Sequence, residues 1–154
     1  HYLDQEIGKY LNQNDRCLDF GCGSGILGIA AIKIYNLQLD FCDIDREALD
    51  NCQQNILLNF PQHDLSSHRL VSRERFKVEQ PYKVVFANIL ESVLVQEQEV
   101  IFSAVDKGGY LILSGVLEDQ VDRVAKLYTE NNELELLDSK LRGEWGALLL
   151  GRRV

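Results

Sequence analysis

The stretch over residues 16–28, RCLDFGCGSGILG, leaves a folding chain few options. Cys17, Leu18 and Phe20 are strand formers, and Gly21, Gly23 and Gly25 then permit backbone angles and close approaches that a Cβ forbids. Ile26, Leu27, Ile29 and Ala30 open an apolar helix directly afterwards. A strand that runs through a glycine turn into a helix predicts a ligand lying over the exposed N–H groups of the helix start.

The rest of the chain can be placed around that turn. Apolar Leu3, Ile7, Tyr10 and Leu11 have helical spacing, and turn formers at 12–15 end that helix before the first strand. After the helix over about 25–35, apolar Leu37, Leu39 and Phe41 alternate in a second strand that ends at Cys42-Asp43-Ile44-Asp45. Asp45 is a good N-cap for a helix whose apolar face is Ala48, Leu49, Cys52, Ile56 and Leu57, closed by Pro61. Residues 69–72 are a short third strand candidate. YKVVFA over 82–87 reads as a buried parallel strand ended by Asn88-Ile89-Leu90-Glu91. A helix over 92–105, a turn at Lys107-Gly108-Gly109, a strand over 110–113 closed by Ser114-Gly115, and an amphipathic helix over 118–128 follow. Two last strand candidates, 134–139 and 145–150, are separated by 140–144.

Strands alternating with helices predict an open, mostly parallel sheet covered on both faces. The link between the last two strands cannot hold a parallel crossover, which needs about a dozen residues, so those strands form an antiparallel hairpin. The expected architecture is α/β: a Rossmann-like, seven-stranded, mostly parallel sheet with a terminal antiparallel hairpin, the fold of class I methyltransferases.

The 154 residues, 45% hydrophobic and 26% charged, suffice for one domain with a real core, read as a single domain over 1–154. The net charge of −8 argues against a general polyanion-binding surface, so direct nucleic-acid binding is not expected. Cys17, Cys22, Cys42 and Cys52 show no CxxC pair and no histidine at metal spacing, so no metal is expected. Three of the cysteines read as reduced, buried thiols of a cytosolic protein; Cys22 stands apart because it lies in the glycine turn. No apolar run approaches the ~18 residues of a membrane helix and no signal-peptide pattern opens the chain, which predicts a cytoplasmic protein without membrane contact. A start at His1 rather than Met reads as a fragment. His1, His63 and His68 have no partner spacing and are expected on the surface, and Lys140, Arg142, Arg152 and Arg153 form a solvated basic edge.

Two glycine patterns overlap in the turn. From Gly21 it is GxGxG, and from Gly23, through Gly25 and Gly28, it is the GxGxxG of dinucleotide sites. In the dinucleotide motif the first glycine directly follows the strand, but the glycine that follows Phe20 is Gly21, and a GxGxxG counted from there meets Ile26 in third place. The offset favours S-adenosylmethionine over NAD. Asp43, twenty-two positions after Gly21, stands where a carboxylate accepts ribose hydroxyls, with Ile44 beside it in the cofactor site and Asp45 as cap. Asp19 is an unusual polar residue in an apolar strand, suited to bonding turn amides or to lying near the methionine ammonium. Asn88 ends the fourth strand on the edge where open sheets bind ligands, beside the switch point, and its amide both donates and accepts.

LDFGCGSGILGIAAIK (18–33), CDIDREALDNCQQN (42–55), VVFANIL (84–90), GGYLILSGVL (108–117) and EWGALLLGRR (144–153) together resemble the PrmA-type methyltransferases, which modify lysine and N-terminal amines of ribosomal protein L11. The resemblance covers nearly the whole chain, and the NIL tripeptide and the LSG-x-L segment are more specific than the turn. It implies S-adenosyl-L-methionine as cofactor and a protein substrate, most simply a ribosomal protein. It also implies Asp19, Gly21, Gly23, Gly25, Asp43 and Ile44 as cofactor-binding residues, with Asn88 as the residue of the cofactor and amine side. The family's substrate-recruiting domain and its cofactor-touching threonine segment are not matched before His1-Tyr2. A methyltransferase of this fold acting on another protein or a small molecule, and a non-catalytic S-adenosylmethionine-binding module, are the alternatives; the residues leave the oligomeric state open.

Overall fold

A computed structural model of the chain describes residues 2–13, 15–61 and 68–154. It divides into two compact units, His1–Glu79 and Gln80–Val154.

In the first unit, β1 (Arg16–Phe20), β2 (Gln38–Asp43) and β3 (Arg69–Ser72) run parallel. Their register brings Phe20 opposite Cys42, and Asp43 opposite Ser72, so the carboxyl ends of the three strands share one edge. Cys17, Leu18, Leu39, Phe41 and Cys42 are buried, the near-continuous burial of strands covered on both faces. Helix α1 (Ile26–Tyr35) starts from Gly25 and stops at Asn36, both in left-handed backbone conformation, and buries Gly28, Ile29, Ala31 and Ile32. Helix α2 (Arg46–Asn59) is capped as the sequence predicts: the Asp45 carboxylate accepts the Glu47 N–H at 2.9 Å. Residues 2–10 are helical but not one α-helix. A π-helical turn, Tyr2–Ile7, gives way at the poor helix former Gly8 to a 3-10 turn, Gly8–Tyr10.

His68 departs from expectation. It is buried, not exposed, and its Nδ1 accepts the Leu39 N–H at 3.1 Å, supplying a partner to a backbone donor of β2. His1 and His63 lie outside the described residues. Nearby, the buried Asp40 carboxylate is held by Arg69 at 3.0 Å and Arg16 at 3.2 Å, the pairing a buried charge requires.

The second unit contains β4 (Tyr82–Asn88), α3 (Glu91–Gln96), α4 (Gln98–Ala104), β5 (Val105–Leu117), α5 (Val121–Thr129), β6 (Leu134–Arg142) and β7 (Trp145–Arg152). β4 and β5 are parallel, and β7 lies antiparallel to both β5 and β6. The terminal hairpin is therefore present, closed by Gly143-Glu144 with Gly143 at φ +61. The helix expected over 92–105 is broken at Glu97 into α3 and α4. Strand β5 is longer than the sequence pattern suggests. Gly108 and Gly109 do not end an element; the pairing with β4 slips from Tyr82–Val105 to Val84–Tyr110 and absorbs them as an irregularity. Ser114-Gly115 likewise does not close the strand. Gly115, at φ +80, is a bulge between the Ser114–Ala147 and Val116–Gly146 pairs. Among the described residues the strand order is β3-β2-β1 in the first unit and β4-β5-β7-β6 in the second, seven strands as expected. Among the described residues no helix is long and apolar enough to cross a membrane.

Candidate functional site

The glycine turn is built from backbone bonds to the end of β2. Gly21, Gly23 and Gly25 all have positive φ, at 70°, 54° and 79°. The N–H groups of Gly21 and Cys22 both donate to the Cys42 carbonyl, at 2.7 and 3.0 Å. Gly23 donates to Asp43 Oδ2 at 2.8 Å, while Asp43 Oδ1 accepts the Asp45 N–H at 2.9 Å. One carboxylate thus ties the turn to the loop that opens α2.

The glycines differ in what a side chain would meet. A Cβ on Gly25 would collide with the Cys52 sulfur, and one on Gly28 would run into the Phe41 ring and, at 2.6 Å, into Leu39. Gly28 is therefore a packing residue of α1 against β2. A Cβ on Gly23 would meet nothing within 4 Å. The space over Gly23 is open, as a ligand resting on the turn requires, and two large apolar side chains stand exposed, Ile26 just after the turn at 70% and Ile44 next to Asp43 at 82%.

Asp19 lies beneath the turn, buried, with Oδ2 accepting the Gly28 N–H at 2.9 Å. Because the N-cap is a glycine with no side chain, this carboxyl supplies one of the acceptors that the first turn of α1 lacks. Burial raises its pKa to about 7, helped by the Asp43 charge and opposed by the Gly28 N–H. Cys22 is buried like the other three cysteines, against the distinction drawn from its place in the turn. A hydrogen bond with the Cys52 thiol, and then burial, push its thiol above the ordinary range and so favour the neutral form.

In the second unit, Asn88 is the last residue of β4 and its side chain is exposed. Ser114, its register partner on β5, donates its hydroxyl to Asn88 Oδ1 at 3.1 Å. Leu90, two residues on, is 66% exposed. Glu91 begins α3 and forms a two-pronged ion pair with Arg123, which holds its carboxyl below the usual range.

Residues 4–153 match the family described as ribosomal protein L11 methyltransferase (PrmA). The chain belongs to this family. Relatives called ribosomal protein L11 methyltransferase include one from Campylobacter concisus, 34% identical over 141 residues, covering 92% of this chain and 48% of its own length. Another, from Nitrosomonas europaea, is 38% identical over 130 residues, covering 80% of this chain and 42% of its own. The chain spans about half the length of the curated relatives it matches. Among solved structures, a ribosomal protein L11 methylase from Lactobacillus delbrueckii subsp. bulgaricus superposes with a TM-score of 0.78 at 23% identity, over 96% of this chain and 75% of that one. An RNA methyltransferase from Salinibacter ruber, crystallised with S-adenosyl-L-homocysteine, gives 0.73 at 12% identity over 98% and 90%. At such identities the likeness is one of fold, and it confirms the Rossmann-like methyltransferase architecture.

Of the residues expected at the site, the structure joins Gly23 to Asp43 and Gly21 to the Cys42 carbonyl beside it, while Asp19 bonds the Gly28 N–H inside α1 and not an amide of the turn. The sequence alone misses Ser114 and Gly115, which pack on Asn88 and Ile89: a Cβ on Gly115 would stand 2.8 Å from Asn88 Oδ1 and 3.2 Å from the Ile89 carbonyl. The only signal for them was the LSG segment, whose meaning depends on the β4–β5 register.

Proposed function

We propose that this chain, as one domain over 1–154, binds S-adenosyl-L-methionine and transfers its methyl group to amine nitrogens of a protein, with ribosomal protein L11 as the substrate and the cytoplasm as the place of action. Membership of the PrmA family carries the reading. The open face over Gly23, backed by Asp43, supports the cofactor part of it.

In this reading the positive-φ backbone at Gly21, Gly23 and Gly25 lets the cofactor come close to the turn. Asp43 accepts one N–H at each oxygen, and because a carboxylate oxygen can accept two bonds, both oxygens keep capacity for ribose hydroxyls. Ile44 offers an exposed apolar face to adenine. Asp19 would serve the methionine ammonium, whose charge would favour the ionised carboxylate that burial resists.

The bound cofactor supplies a methyl group on a sulfonium, open to attack by a neutral nitrogen. A lysine amine, with a reference pKa of ~10.4, must first give its proton to water, and partial desolvation favours that neutral form. Asn88 Oδ1 and the Ile89 carbonyl would accept the N–H bonds of the amine and so hold its orientation. Asn88 orients; it does not act as a base.

The test is thermal and calorimetric titration with S-adenosyl-L-homocysteine and with NADH, followed by transfer of labelled methyl to purified ribosomal protein L11. The expected result is stabilisation by the first ligand alone, since only a ligand of the folded state raises stability, and label on L11. Tighter binding of NADH would overturn the cofactor assignment. Homocysteine-form binding with no transfer would leave a binding module.

A further inference from the structure

Asn88 carries its carboxamide at the end of β4, and β5 is what holds it. Asn88 is exposed at a strand end, where an asparagine side chain with no neighbour would sample several rotamers and lose the orientation that methyl transfer needs. Two features of β5 remove that freedom. The Ser114 hydroxyl, on the residue registered with Asn88, donates to Asn88 Oδ1 at 3.1 Å. The bulge at Gly115, with φ +80, brings the β5 backbone so close that a Cβ there would press on Asn88 Oδ1 at 2.8 Å and on the Ile89 nitrogen and carbonyl at 3.3 and 3.2 Å. The bulge falls at Gly115, where β5 comes close to the polar atoms of the Asn88-Ile89 segment.

We propose that Ser114 is a positioning residue for Asn88, its hydroxyl fixing the direction of the Asn88 carboxamide oxygen so that the second lone pair is left for an N–H of the substrate amine. Gly115 supplies the clearance that lets the pair form. The inference rests on the proposed amine-methylating function, since it assigns Ser114 a part in that reaction. Its geometry, however, can be tested without turnover. Serine suits the place because one short hydroxyl reaches across a strand pair without adding bulk. An oxygen with two lone pairs can accept from Ser114 and still accept from a ligand.

The experiment is a double-mutant cycle on the full chain with ribosomal protein L11 and labelled cofactor, comparing wild type, Ser114→Ala, Asn88→Ala and the double variant. Ser114→Ala is expected to lower kcat about tenfold, with unchanged affinity for S-adenosyl-L-homocysteine and unchanged KM for the protein, and to have no further effect once Asn88 is alanine. Ser114→Thr, which keeps the hydroxyl, is expected to restore most of the rate. A Ser114→Ala protein at wild-type kcat, or the same loss in both backgrounds, overturns the proposal. NMR of the Asn88 side-chain NH2 group gives the second readout: its order parameter is expected to fall in Ser114→Ala. If wild type transfers no methyl group, the functional reading fails, and the NMR result alone then decides whether Ser114 holds Asn88. An unchanged order parameter means that it does not.

Discussion

The glycine turn of the first unit and the Asn88 edge of the second hold their polar groups in opposite ways. At the turn, the Cys42 carbonyl takes two N–H groups, Asp43 takes two more, and Asp19 is buried, so the backbone of the turn is fixed by redundant contacts that are also part of the fold. At the edge, an exposed amide is held by one hydroxyl and the clearance of one glycine. A site made of backbone has to be built by the core, whereas a site made of one side chain can be tuned without touching it. Substitutions at the turn should therefore cost stability, and substitutions at the edge should cost turnover.

The largest expected effect tests the buried carboxyl. Asp19 keeps its proton up to about pH 7 in the folded chain, while the unfolded chain releases it near the ordinary aspartate value of 3.8. The sign follows: its contribution to stability is fully present below about pH 4 and is lost as pH rises through about 7. Relative to Asp19→Asn, which keeps an acceptor for the Gly28 N–H but cannot ionise, wild type should lose on the order of 3–4 kcal/mol between pH 4 and pH 8. Urea midpoints measured across that range check it, and parallel curves for the two proteins would show that the carboxyl is not strained by burial.

Next comes Gly28→Ala, whose added methyl group enters the space of Phe41 and Leu39. We expect a loss of about 2–3 kcal/mol by denaturant unfolding, as overpacking in a filled core costs. Gly23→Ala is the control, because a Cβ there meets nothing and only the positive φ is strained, at a cost of about 1–2 kcal/mol. If Gly28→Ala proved no worse than Gly23→Ala, the division of the glycines into packing and ligand-facing would be wrong.

Asp43→Ala leaves two backbone donors without their carboxylate, and we expect about 1–3 kcal/mol of destabilisation together with loss of S-adenosyl-L-homocysteine binding by calorimetry. The smallest stability change belongs to Asn88→Ala, within about 0.5 kcal/mol of wild type, as for exposed positions generally. That variant should nevertheless transfer methyl groups far more slowly. Equal destabilisation in Asp43→Ala and Asn88→Ala would erase the contrast between the two regions; wild-type turnover in Asn88→Ala would remove Asn88 from the reaction.

How much was legible in advance follows the range of the interactions involved. The Asp45 cap, the strand-turn-helix of residues 16–28, the four residues of β3 and the terminal hairpin were readable because each depends on neighbours a few positions apart. Two short β5 segments were misread for a related reason. Gly108-Gly109 and Ser114-Gly115 look like strand-breaking turns when taken alone, yet β4 on one side and β7 on the other hold the backbone in the sheet and absorb them as irregularities. His68 has no periodic partner, and its burial became visible only when β3 was placed beside β2 and a backbone donor of Leu39 required an acceptor.

The sequence by itself determined the local conformations and the chemical types: where glycine was needed, which carboxylate closed the second strand, and that the chain shares the PrmA pattern. Tertiary structure decided what each of those residues does. Gly23 faces open space while Gly28 packs on Phe41, and Asp19 serves the start of a helix from within the core. Ser114 became part of the Asn88 site only through the register of two strands 26 residues apart. The reason is physical. Allowed backbone angles and capping are properties of a residue and its near neighbours, whereas collision, burial and hydrogen-bond partnership exist only once distant segments are packed together.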